Sequence, residues 1–252
     1  MARLTPEIPF EIALSLDAVN GWDANRKFGI NPVVASTTVY GDVWPGPTAS
    51  IPRNGTPSTL YLTTADAQDT ALGTGAQAVT VSGVDDATGE FASEVLATAG
   101  VGDSAATTIV FRDASRCWVS AIGAHANENN IAAISVKRSS DAAVMAYIRA
   151  GLGQTQQCNV LTPEDWASTK VQLTVSVASA QNASFRVWQQ KRGGVKRISH
   201  EIVSLDGGIP SNAPFVINGN LEGDSYMWVE AIRAGGAAAV TADLSIVLGA
   251  GY

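Results

Sequence analysis

The chain has 252 residues and a formal net charge of −7, with 16 basic and 23 acidic residues. Charged residues make up 15% of it, against roughly 25% in an ordinary soluble domain, while hydrophobic residues make up 46%. This balance excludes disorder, which needs low hydrophobicity and high net charge, and a coiled coil, for which Glu, Lys and Leu are too scarce.

Residues 1–57 read as an extended arm. Most of the chain's prolines lie there, among them Pro6, Pro9, Pro32, Pro45, Pro47, Pro52 and Pro57. Trp44-Pro45-Gly46-Pro47 and Ile51-Pro52-Arg53-Asn54-Gly55 are turn signals. Val33-Val34 and Val39-Tyr40 are apolar pieces long enough only for edge strands. Such an arm has no core of its own, so it either packs on its own domain or docks on a neighbour. Trp22 and Trp44 are therefore expected to anchor in a neighbour's pocket, with Pro45, Pro47 and Pro52 stiffening the contact.

From Ser58 onward the pattern becomes that of strands. Leu60 to Leu62, Ala78 to Gly83, Phe91 to Thr98, Thr107 to Phe111, Cys117 to Ile122, Ile131 to Val136 and Val144 to Ile148 follow one another. Clusters such as Asp85-Asp86-Ala87-Thr88-Gly89 separate them as turns. These runs predict a first β-sandwich region over 58–150. A second, over 151–252, holds Val171 to Val177, whose odd positions are apolar throughout. Ser184 to Gln189 and Val195 to Ile202 flank Lys191-Arg192-Gly193-Gly194, a hairpin signal because positive φ costs glycine little. Phe215 to Ile217, Met227 to Ile232 and Leu244 to Leu248 close the series. One turn of helix is expected at Thr162-Pro163-Glu164-Asp165-Trp166, with Thr as N-cap. About fourteen strands at 8–15-residue spacing predict an all-β, jelly-roll-like sandwich architecture.

The acidic balance gives no general footprint for nucleic acid or an anionic membrane. No apolar run reaches the 18 or more residues of a transmembrane helix, and the first residues lack the pattern of a signal peptide. Cys117 and Cys158 lie in apolar stretches and are expected as buried free thiols. With two distant histidines, His125 and His200, they do not amount to a zinc site. Neither histidine belongs to a nucleophile elbow or a His-Glu-x-x-His motif. Asp66, Asp69, Asp85, Asp86 and Glu90 offer oxygen ligands for Ca²⁺, but their spacing fits no EF-hand loop, and turn chemistry accounts for them. Gly73-Thr74-Gly75 and Gly151-Leu152-Gly153 are too short for phosphate loops. Neither catalytic residue, metal nor cofactor is expected. Trp118, Trp188 and Trp228 fall in strands and read as core. Lys191, Arg192, Lys196 and Arg197 cluster on one hairpin of an acidic chain. They read as a solvated tip, as a contact with an acidic patch on a neighbouring subunit, or third as a nucleic-acid contact, which the lack of interleaved aromatics disfavours.

Several stretches together resemble a family, the structural proteins of tailed-bacteriophage virions of marine type. They are Leu60-Tyr61-Leu62-Thr63-Thr64, Asp69-Thr70-Ala71-Leu72-Gly73-Thr74-Gly75-Ala76, Val79 to Asp85, Ser93-Glu94-Val95, Phe111-Arg112, Gly151-Leu152-Gly153-Gln154-Thr155, Arg192-Gly193-Gly194 and Gly223-Asp224-Ser225-Tyr226. Glu164-Asp165 departs from the family's Ala-Gly. The resemblance covers roughly 58–250 and implies a β-sandwich that assembles into particles. Expected partners are other virion proteins (major capsid, neck or tail) and copies of the chain itself, with no membrane; nucleic acid is disfavoured as a partner. A capsid-decorating or cement role is the leading expectation, a neck or tail ring the second. A receptor- or glycan-binding spike module is a third class, and a virion-borne glycan hydrolase a fourth.

Overall fold

The computed structural model describes residues 22–34, 37–53, 55–124, 129–178, 181–206, 215–216, 221–235 and 238–250. They are all-β, every strand pairing is antiparallel, and no helix occurs among them. Two sandwiches make up the fold, one inserted into the other. In the outer sandwich the first sheet has the order β1-β15-β10-β13, namely Trp22–Val34, Ala238–Ala250, Trp166–Val177 and Phe215–Val216. Its second sheet runs β12-β11-β14-β2, namely Arg197–Asp206, Asn182–Lys191, Ser225–Arg233 and Gly41–Asp42. Strand β9 (Asn159–Leu161) also pairs with β14. Alternation sets the facing. Ala238, Val240, Ala242, Leu244, Ile246 and Leu248 of β15 and Val171, Leu173 and Val175 of β10 are all buried. They meet Phe185, Val187, Met227, Val229 and Ala231 from the other sheet in one core, as a period of two requires.

The inserted sandwich, residues 58–155, is smaller. It stacks β3-β7-β8 (Leu60–Thr64, Ile134–Arg138, Val144–Ile148) against β5-β4-β6 (Phe91–Ala97, Ala76–Val84, Arg116–Ile122). Leu60, Leu62, Val79, Val81, Leu96, Phe111, Cys117, Ile134, Val136 and Ile148 form its core. The chain leaves the outer sandwich after β2 and returns to it at β9.

Three expectations are corrected. Residues 22–34 and 41–42 are not an arm; they are β1 and β2 of the outer sandwich. Strand β1 pairs along nearly its whole length with β15, with a bulge between Asn31 and Val34 that accommodates Pro32 on an edge strand. Residues 107–111 are irregular, held by isolated bridges of Phe111 to Ser58 and Asp85. The helix expected at 162–166 is absent. The Thr162 hydroxyl instead donates to the Glu222 carbonyl and accepts from Ser225 N, and Trp166 already opens β10.

The inserted sandwich is organised around a single carboxylate. Asp69 has no exposed surface. Its Oδ1 accepts from Ala76 N (2.8 Å) and Ile131 N (2.9 Å), and its Oδ2 from Ala132 N (2.9 Å) and the Thr64 hydroxyl (3.2 Å). One side chain thus ties the end of β3 and the start of β4 to the segment that leads into β7. Asp69→Ala strands several buried donors, each costing about 1–3 kcal/mol. The expected loss is about 3–5 kcal/mol, read from the urea unfolding midpoint, with Asp69→Asn intermediate because one acceptor oxygen survives.

Candidate interaction surfaces

The two sandwiches meet along the segment Arg112–Arg116, which the outer sandwich clasps. Its carbonyls are taken in turn: Tyr226 Oη donates to Arg112 O (3.4 Å), Gln157 Nε2 to Ala114 O (2.7 Å) and Lys27 Nζ to Ser115 O (2.9 Å). The Arg112 side chain, only 6% exposed, pairs with Asp86 of its own sandwich (2.9 Å) and Glu164 of the other (2.7 Å), with Asp224 at 3.5 Å. Val84 and Phe91 of the insert pack on Leu161, Tyr226, Trp228 and Trp188 beside this cluster. Trp166 Nε1 donates to Glu90 Oε2 across the same boundary (2.8 Å). At Gly83 a Cβ would lie 2.2 Å from Asp113 O, so glycine is required for the segment to lie this close.

Lys27 and Asp113 are buried within this seam. Burial pushes the Lys27 ammonium down to about 8, with Asp113 opposing. Burial likewise pushes the Asp113 carboxyl up to about 6, against the hydrogen bond from Val84 N and the charge of Lys27. Asp113 Oδ2 has no hydrogen-bond partner among the described residues. The thiols of Cys117 and Cys158 lie nearby, free and buried. Burial pushes Cys117 up to about 12 and Cys158 higher still, so both are unreactive near neutrality.

The residues expected to bind a neighbour are placed as follows. Trp22 opens β1 opposite Gly249; its side chain lies outside the described residues. Trp44 is corrected from a neighbour's anchor to a residue buried in its own chain. It is 2% exposed, and its indole N–H donates to Thr48 O (2.9 Å). Gly46 lets the turn close over its ring, since a Cβ there would sit 2.2 Å from the indole. Pro45 and Pro52 are half-buried and Pro47 is exposed. Pro45 and Pro47 border a groove of about 370 Å³ with Val33, Val39 and Tyr40.

The basic hairpin is engaged within the chain. Arg192 chelates Asp224 (2.9 and 3.0 Å) and its backbone N–H donates to Asp224 O, which ties the tip to the seam. Lys196 pairs with Glu230 (2.9 Å), and Lys191 sits 3.5 Å from Glu222 on the surface. Arg197 is exposed and makes no ion pair among the described residues. The acidic patch expected on a neighbouring subunit is thus supplied, for Arg192 and Lys196, by this chain.

Trp228 is buried and Trp188 half-buried, but both belong to the outer side of their sheet, stacked at 6.3 Å between ring centroids. Trp118 is likewise on the outward side of β6, half-buried beneath Arg116. The register of β5-β4-β6 arranges that outward face in three rows: Ala97-Ala78-Ala121, Val95-Thr80-Trp118 and Ser93-Ser82-Arg116. Arg116 carries the only charge among them, and Val95 is 60% exposed. Sequence reasoning missed this face as a unit, because most of its residues are small and only the pairing register brings them together. A further groove beside β6, about 620 Å³, is bordered by Trp118, Ile122 and Leu152.

The aspartates in turns are accounted for locally. Asp85 accepts from Ala87 N and the Thr88 hydroxyl, Asp86 is paired with Arg112, and Asp69 is filled by backbone donors. Among the described residues no group of three His, Cys, Asp or Glu is placed to hold a metal ion. His200 is half-buried on β12 opposite Val187; His125 lies outside the described residues.

No family model matches the chain, and no curated protein is similar to it in sequence. Among solved structures it is similar to particles of infectious bursal disease virus. The Gx strain structure is 10% identical over 90% of this chain and 72% of that one, with a TM-score of 0.26. The VP2 subviral particle is 10% identical over 97% and 83%, with a TM-score of 0.21. Scores this low do not establish a shared fold.

Two outcomes are expected at the seam. Arg112→Met leaves acids around an emptied, partly buried site and costs about 3 kcal/mol. Scanning calorimetry should then resolve one cooperative transition into two, one for each sandwich. The second concerns pH. Asp113 binds its proton more tightly folded than unfolded, so its contribution to stability falls as pH rises from 3.8 to about 6. Asp113→Asn should flatten that slope, by up to about 3 kcal/mol at 1.36 kcal/mol per pH unit. Lys27 has the opposite sign: folded it binds its proton less tightly, so stability gains between about 8 and 10.5, and Lys27→Met should remove that rise while also stranding the Ser115 carbonyl, a loss present at every pH.

Proposed function

We propose that the chain is a structural, non-enzymatic subunit of a virus particle and works by protein–protein assembly, as a decorating or cement protein on the capsid surface. The observation that carries the reading is the outward face of β5-β4-β6. Its three rows are small neutral residues apart from Trp118 and Arg116 and bear one charge, so covering that face with protein desolvates little that is polar. The clasped seam supports it, since a two-sandwich block that does not bend presents its faces in a fixed relation. The resemblance of the motifs in 58–250 to tailed-phage structural proteins supplies the kind of partner, other virion proteins and further copies of the chain. A neck or tail ring would use the same face.

The test is incorporation. Antibody against the chain should label particles purified from the producing culture. A Val95→Glu/Ala97→Glu variant should fold, with a melting temperature within a few degrees of the parent, yet be absent from particles, because it places two carboxylates along the β5 edge of the face. Undiminished incorporation of that variant, or unlabelled particles, would overturn the reading.

A further inference from the structure

The outer side of the β12-β11-β14-β2 sheet carries a site the assembly reading does not use. Trp188 of β11 and Trp228 of β14 are direct cross-strand partners, their rings 18° from parallel. Glu230, two residues along β14, is held by both. Its Oε2 accepts the Trp188 indole N–H (2.6 Å) and its Oε1 that of Trp228 (2.9 Å). Two indole planes and a fixed carboxylate therefore converge on one point. That point is occupied by an ammonium group. Lys196 Nζ lies 3.8 Å from the Trp188 ring centroid, 5.0 Å from that of Trp228 and 2.9 Å from Glu230 Oε1.

Walls and occupant differ in kind. The walls come from paired strands, and the Glu230 side chain is only 10% exposed. The Trp228 ring is also covered by Arg53, 4.1 Å from its centroid and itself paired with buried Asp42 at 2.7 Å. Lys196 instead belongs to the turn between β11 and β12, beside the 87%-exposed Val195, and its side chain is 40% exposed. An aromatic face with a desolvated carboxylate is the chemistry that holds alkylammonium groups. One ammonium can replace another here without leaving Glu230 uncompensated.

We propose that Trp188, Trp228 and Glu230 form a binding site for a lysine side chain of another protein, a site that Lys196 fills in the isolated chain. A partner lysine takes the cage as Lys196 swings out with its turn. The inference rests on this cage alone and holds whether or not the chain belongs to a virion.

The test uses n-butylammonium as a lysine surrogate and follows the indole N–H signals by NMR, assigned with Trp188→Phe and Trp228→Phe. In Lys196→Ala the two signals should move saturably, with a Kd on the order of 10 mM. In the parent chain binding should be roughly tenfold weaker, because the resident lysine competes. Glu230→Gln added to Lys196→Ala should abolish it. Lys196→Gln serves as a second vacated form with the same expectation. The proposal is overturned by absence of saturable shifts in both vacated forms, by equal affinity in the parent, by retention in the Glu230→Gln variant, or by sodium producing the same shifts at equal ionic strength.

Discussion

The structure depends on how one short segment satisfies its polar groups away from water. Arg112 to Ser115 runs between two hydrophobic cores, where an unpaired carbonyl costs as much as a lost hydrogen bond. Three of its carbonyls are met by Tyr226, Gln157 and Lys27, all from the outer sandwich. Because the donors are side chains on three different strands or strand approaches, the insert can sit on its host in only one way. The apolar contact of Val84 and Phe91 against Leu161, Tyr226 and Trp228 adds area. Area alone would not fix an orientation; the directional bonds do.

The same economy governs the charges. The chain has few basic residues, and many are committed internally: Arg53 to Asp42, Arg112 and Arg192 to a shared set of acids, Arg138 to Asp141, Lys196 to Glu230. The excess of acid over base is thus partly absorbed in networks that hold loops and sandwiches together. What remains on the outward face of β5-β4-β6 is close to neutral. The low overall content of charged residues is therefore unevenly distributed, dense at the seam and sparse on the sheet face.

The sequence made some of this legible and hid the rest for identifiable reasons. Alternation in 171–177 marks β10 because alternate residues enter one core, and the Gly193-Gly194 turn is announced by its composition. Strand β1 was invisible except for its last two residues, Val33-Val34. Asp23, Asn25, Arg26, Lys27, Gly29 and Pro32 argue locally against a strand, and pairing with β15 overrides them. The proline count that suggested an arm reflects turns packed onto their own domain, as Trp44 over Gly46 illustrates. Clustered charge correctly drew attention to residues 191–197, but not to their partners, since Asp224 and Glu230 are brought alongside only by strand pairing. Arg112, the central cation of the seam, was noticeable only as one letter of a resemblance, for nothing near it in sequence signals a boundary between two sandwiches.

The pairing of β1 with β15 has a consequence for how the molecule is made. Arg26 reaches Asp243 across a sequence separation of 217 residues, so the outer sandwich cannot close until nearly all of these strands have left the ribosome. The insert has no such dependence: its strands all lie between residues 60 and 148, and it is free to collapse first. Contacts so distant along the chain slow folding, and until β15 arrives β1 is an unpaired edge open to the wrong partner. Its arginine, lysine and proline then serve a second purpose, discouraging association during the wait.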